Sequence, residues 1–190
     1  MQEARIVSQS VHRGAPHLTT RPAADEHAPY YARYVDRVPG GDIVRTLEEG
    51  ARETDALLRS ERAHALAEHR YAEGKWSVKE VLGHLTDAER VFAYRMMRIA
   101  RADATPLPGF DENAYTPAGR FDERALDDLL EEFLAVRHAT IRLVRGLPAE
   151  AWTRRGTASD NPVSVRALAY IIAGHELHHR AILEQRYFAA

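Results

Sequence analysis

Four stretches of the chain repeat apolar residues at the three-to-four spacing of a helix buried along one side. Ile43, Leu47, Thr54, Leu57 and Leu58 form the first stripe, and Val78, Val81, Leu82, Leu85, Phe92, Met96 and Ile99 the second. Leu126, Leu129, Leu130, Phe133, Ile141 and Val144 form the third, and Leu168, Ile171, Ile172, Ile182 and Leu183 the fourth. Stripes of this kind leave water by facing one another, so the expected fold is all-α, a four-helix bundle. No run of alternating β-branched residues predicts a strand.

Local signals place the boundaries. Asp42, after Gly40-Gly41, is an N-cap for the first helix, which should break near Ser60, with a shorter helical piece through Leu66 before Gly74. Ser77-Val78-Lys79-Glu80 reads as a capping box opening a second helix that runs to about Ala102. The third helix should begin near Asp122 and close at Gly146 and Pro148; the fourth should run from Ser164 to about Tyr187. Long connections join helices 2 and 3, over 104–120, and helices 3 and 4, over 147–162. The first carries Phe110, Asp111, Glu112 and Tyr115, and reads either as a rim to a site or as a plain crossover. Residues 1–38, with Pro16, Pro22 and Pro29 and with His12, His17 and His27, read as an irregular arm anchored on the bundle by Tyr30, Tyr31 and Tyr34. Residues 39–190 are then the bundle domain.

Composition narrows the function. The 190-residue chain suits a single core, with 45% hydrophobic and 28% charged residues. A net charge of -2 argues against a nucleic-acid partner gripped through its phosphates. With no cysteine, a Cys-based zinc site and a cysteine nucleophile are excluded, and any thiol must arrive with a substrate. The most apolar run, 167–174, is too short to span a membrane, and 1–14 lacks a signal-peptide core, so a cytoplasmic location with no membrane partner is expected by default.

The chemistry lies in the fourth stripe. His175 and His179 are four apart, so they share a helix face, and they interrupt an apolar row. Buried imidazoles are costly without partners, and a metal ion satisfies both together. His84, at the edge of the second stripe, is the best third ligand. Three histidines leave coordination positions open for water or substrate. His175-Glu176-Leu177-His178-His179 also spells H-E-x-x-H, in which Glu176 would be a general base. The metzincin continuation is missing, because Ile182 and Gln185 stand where Gly and His belong. Glu176 therefore reads as a helix-face or supporting residue and His178 as exposed. Asp87 and Glu89 read as helix-surface pairs, with support of His84 as the alternative. His64, His69 and His138 read as surface or edge residues.

The stretch Lys75-Trp76-Ser77-Val78-Lys79-Glu80-Val81-Leu82-Gly83-His84-Leu85, followed by Glu89, resembles the W-S-x-x-E-x-x-x-H-L segment of DinB/YfiT-like proteins. Gly174-His175-Glu176-Leu177-His178-His179-Arg180 resembles their C-terminal H-x-x-H-H segment. Order and spacing agree over roughly Ala32 to Tyr187. The resemblance implies a four-helix bundle, often a homodimer, with a three-histidine site for Zn²⁺, Ni²⁺ or a similar divalent ion at His84, His175 and His179. Relatives of this kind include thiol-dependent S-transferases and a mycothiol-dependent maleylpyruvate isomerase; others are called hydrolases.

The leading expectation is a metal-dependent transferase that ionises a low-molecular-weight thiol for attack on a small-molecule substrate. Hydrolysis by a metal-activated water is the alternative within catalysis. A stress protein stapled by its metal, without catalysis, is the alternative outside it.

Overall fold

The computed structural model describes residues 16–189. His12 lies outside them. Four long helices make the bundle: α2 (Ile43–Leu58), α4 (Val78–Ala100), α6 (Leu126–Arg145) and α7 (Val165–Ile182). Helix α2 packs mainly on α6 and α7, and α4 packs mainly on the same two. Around the bundle the order is therefore α2, α6, α4, α7. Helices consecutive along the chain sit diagonally in two of the three cases, α2 to α4 and α6 to α7; α4 and α6 are neighbours, and the connection between them is long because it carries a further short helix over Glu112–Gly119. No described helix is long and apolar enough to cross a membrane.

The start signals act as the residues dictate. The Asp42 carboxylate accepts from the Val44 N–H at 2.8 Å. At α4 the Ser77 hydroxyl accepts from the Glu80 N–H at 3.0 Å, and the Glu80 carboxylate accepts from the Ser77 N–H at 2.8 Å. This reciprocal box satisfies two donors the helix leaves free. The Ser164 hydroxyl caps α7 through the Ala167 N–H. The first helix ends at Leu58, as expected, and a short α3 (Glu61–Ala65) follows. Helix α7 gives way at Leu183 to one π-helical turn ending at Tyr187.

Three local expectations are corrected. The third long helix starts at Leu126, not near Asp122. Asp122 lies in a 3-10 turn after left-handed Arg120, and its carboxylate accepts from the Ser77 hydroxyl at 2.6 Å and from Arg70 at 2.7 Å. Those bonds hold it against the start of α4. The connection before it, expected as a loop, contains an eight-residue helix capped by Asp111, α5 (Glu112–Gly119). The 147–162 connection leads into a hairpin of β1 (Arg155–Ala158) and β2 (Asn161–Ser164), antiparallel, with Arg155 opposite Ser164. Its turn residues Ser159 and Asp160 both have positive φ, the conformation that two-residue hairpin turns use. The strands are short and polar, so no alternating pattern announces them.

Residues 16–38 form 3-10 turns and a short α1 (Ala32–Val35) lying against α7. Tyr34, Val35 and Val38 are buried, Tyr31 is half-buried and Tyr30 is exposed. The approach is close: a Cβ on Gly174 would lie 2.0 Å from the Tyr34 carbonyl oxygen. Glu26 is buried beside Arg166 and Ser164; burial opposes its charge, but their hydrogen bonds bring its carboxyl down to about 2.

Two apolar clusters fill the bundle. One holds Leu47, Phe92, Met96, Ile141, Leu168 and Ile171; the other holds Leu58, Leu82, Leu85, Leu130, Phe133 and Leu183. Each long helix places buried polar residues near the junction of the two clusters: Thr54 on α2, His84 and Glu89 on α4, Arg137 on α6, and His175 and Glu176 on α7.

Candidate metal centre

The polar layer divides into two groups. The first is the histidine cluster. His84 from α4 and His175 and His179 from α7 bring one ring nitrogen each within 4.8 Å of one another. The Nε2 atoms of His84 and His175 are 3.0 Å apart. Ring centroids lie 4.6 Å apart for His175–His179 and 5.0 Å for His84–His179. The four-residue spacing on α7 stacks its two rings on one face, and α4, adjacent to α7, presents the third.

No hydrogen bond or ion pair joins any of the three rings to a carboxylate among the described residues. Burial pushes the His84 imidazole down to about 4. Burial, then the neighbouring imidazoles, holds His175 and His179 well below the ordinary histidine range. All three are therefore neutral near pH 7, the state in which imidazole binds a metal. With metal–nitrogen bonds of about 2.0–2.1 Å, ligands on a tetrahedral ion sit about 3.3 Å apart. The 3.0 Å spacing of His84 and His175 is close to that edge, so the donor set fits a divalent ion.

Aromatic rings enclose part of the cluster. Tyr34 meets His175 edge-on at 5.1 Å, and Phe92 does so at 6.0 Å. Trp76 lies against His84 at 4.7 Å. His178 is half-buried beneath Tyr34, not exposed as expected, because α1 covers that side of α7. Its Nδ1 is buried without a hydrogen-bond partner among the described residues. The opposite side is open: a cavity of about 240 Å³ reaches His179 and is lined by Trp76, Lys75, Tyr71, Tyr187 and Asn113 among others. Asn113 belongs to α5, so part of the 104–120 connection does rim the cluster.

The second group is an ion network that sequence reasoning missed. Arg137 is fully buried; its guanidinium donates to both Glu89 oxygens, at 2.8 and 2.9 Å, and to Glu176 at 3.2 Å. Burial works against its charge, but the two carboxylates outweigh that and hold it protonated. Glu176 also accepts from the Thr54 hydroxyl and, at 3.0 Å, from Arg180. Glu89 is thus a buried partner of Arg137 and not a surface residue; Asp87 keeps a surface pairing with Arg90 at 3.4 Å. Glu176 is committed to this network and makes no hydrogen bond to the histidines, so the general-base role in an H-E-x-x-H mechanism has no support. A signal for the network exists in the sequence: Arg137 falls four residues after Phe133 and four before Ile141, within a buried stripe. His64, His69 and His138 are exposed, as expected.

Comparison with known proteins agrees with this architecture. No curated protein matches the chain significantly. Among solved structures, YfiT from Bacillus subtilis superposes with a TM-score of 0.64 at 16% identity, covering 77% of this chain and 84% of that one. YfiT is described as a probable metal-dependent hydrolase with an unusual four-helix bundle topology. That likeness, at this identity, concerns the fold. The sequence profile of the DinB superfamily matches residues 46–183, which include all three clustered histidines and the four long helices almost entirely, and the chain belongs to the DinB superfamily.

Proposed function

We propose that His84, His175 and His179 hold one divalent metal ion, Zn²⁺, Ni²⁺ or similar, and that the site acts on a small molecule entering by the cavity at His179. The observation that carries this reading is three converging neutral imidazoles with no carboxylate partner, one of them reaching an open cavity. An ion held by neutral ligands keeps its full charge and can ionise a bound thiol or water near neutral pH. The chain's own residues supply the setting. Tyr34 and Phe92 pack against the His175 ring and Trp76 against the His84 ring. Asn113, Lys75 and the tyrosines flank the entrance.

Within that reading we favour transfer of a low-molecular-weight thiol. No carboxylate lines the cavity, and Glu176 is engaged elsewhere, so a carboxylate base for water is not at hand. Water and thiol alike would be acidified at a bound metal, but the later proton transfers of hydrolysis would lack a carboxylate to carry them, whereas a thiolate once formed would need no further base. Hydrolysis is the second reading, supported by the fold shared with YfiT. Turnover of electrophilic test substrates by metal-loaded and metal-stripped protein, with and without added thiol, separates them. Activity that needs both metal and thiol supports transfer; activity that needs metal alone supports hydrolysis; activity indifferent to metal overturns both.

A further inference from the structure

The charges around the open cavity are unbalanced. Lys75 is the one lining residue with a formal charge, and it forms no ion pair among the described residues. Its neighbours are committed. Lys79 donates to Glu68 at 2.9 Å and to the Asp122 carbonyl at 3.0 Å. Arg70 is held by Glu80 at 2.8 Å and by Asp122 at 2.7 Å. An ammonium left over at the mouth of a cavity without a carboxylate creates a positive potential that an anionic ligand would neutralise. A cation on the three imidazoles would add to it.

The rest of the lining is suited to a flat or apolar body. Trp76, Tyr71 and Tyr187 contribute aromatic rings to the lining, the two tyrosines meeting edge-on at 5.0 Å. Tyr187 is itself fixed, its hydroxyl donating to the Trp76 carbonyl at 2.6 Å. Asn113 adds an amide that can donate to a carboxylate oxygen. At about 240 Å³ the cavity lies just below the usual range for small-molecule sites, which limits the ligand to a small one.

We propose that the molecule bound here carries a carboxylate, paired with Lys75 and Asn113, with its body against Trp76 and its reacting end beside His179. This rests on the histidine cluster being the reactive site, but Lys75 lies outside the proposed ligand set. Its contribution can therefore be measured separately.

Benzoate and the isosteric, neutral benzamide are suitable probes, titrated against the as-purified protein and the Lys75→Gln variant. The shift of the Trp76 indole resonance reports binding, and metal content is measured on the same samples. The expected result is that the parent prefers benzoate to benzamide. Lys75 is exposed at the mouth, so Lys75→Gln should weaken benzoate about two- to fivefold, the order expected for a solvent-exposed ion pair, and leave benzamide unchanged. Equal binding of the two probes by the parent, or benzoate binding unaffected by Lys75→Gln, would overturn the proposal while leaving metal content as it was. Absence of metal with the benzoate preference intact would overturn the metal reading alone and leave the assignment of Lys75 standing.

Discussion

Two buried polar groups lie side by side in the same layer of the bundle, and they are built on opposite principles. The Arg137 group is complete within the protein: the guanidinium meets Glu89 and Glu176, and Glu176 also meets Thr54 and Arg180. The histidine group is incomplete, with three imidazoles turned toward one another and no carboxylate among them. Removing a charge from the water is tolerable when its partners are supplied, as around Arg137. Three neutral imidazoles gathered without a carboxylate suit a ligand from outside the chain that binds their lone pairs. The neighbours His175 and Glu176 belong to different groups because successive helix residues point about a quarter-turn apart. In the function proposed here, one group serves the fold and the other holds the metal.

The largest expected effect breaks the self-contained side. Arg137→Met should leave Glu89 buried and uncompensated and Glu176 with Arg180 as its remaining cation, costing about 3–5 kcal/mol in chemical denaturation. His175→Ala should cost the metal-free protein far less, since no ion pair is lost. If the two variants proved equally destabilised without metal, the contrast between the groups would fail.

Gly50→Ala comes next. A Cβ there would lie 2.1 Å from a Glu176 oxygen, which cannot withdraw without loosening Arg137. A loss of about 1–3 kcal/mol is expected, with metal content unchanged. Loss of metal in this variant would show that the two groups are coupled.

Acid should sharpen the difference. The His84 imidazole titrates near 4 in the folded protein, against about 6.5 unfolded. His175 and His179 are lowered in the same direction. Between those values the unfolded chain binds more protons, so the metal-free protein loses stability as pH falls from about 6.5 toward 4. Below about 4 the His84 contribution is constant. Urea midpoints across this window should fall less steeply in His84→Gln than in the parent; equal slopes would contradict the burial assigned to this ring.

The smallest effect lies outside both groups. Ser77→Ala removes the cap of α4 and the bond to Asp122, and should cost about 1–2 kcal/mol without altering metal content.

Much of this architecture is legible in the sequence, and the reason is local. Capping at Asp42, Ser77 and Ser164 depends on residues within one turn, so composition and spacing reveal it. The pairing of His175 with His179 is equally local, and His84 follows from its place beside a buried stripe. What stays hidden depends on contacts distant along the chain. Glu89 looks like any helix-surface acid until Arg137, 48 positions on, is seen to fill the core beside it. The diagonal order of the helices is set by packing between elements, and no single stripe encodes it. His178 is half-buried because Tyr34 lies over it, a contact that its own helix does not announce. The β1–β2 hairpin turns through Ser159 and Asp160 and not an Asn-Gly pair, so its usual signal is missing.

The central claim is that the histidine group awaits a metal while its neighbour needs nothing. The most direct measurement is elemental analysis of protein purified without a histidine tag or chelator, beside His175→Ala and Gly50→Ala. The account predicts about one divalent ion per chain in the parent and in Gly50→Ala, and close to none in His175→Ala. A folded parent that binds no ion even after incubation with Zn²⁺ or Ni²⁺, or a His175→Ala protein that keeps a full complement, would contradict it.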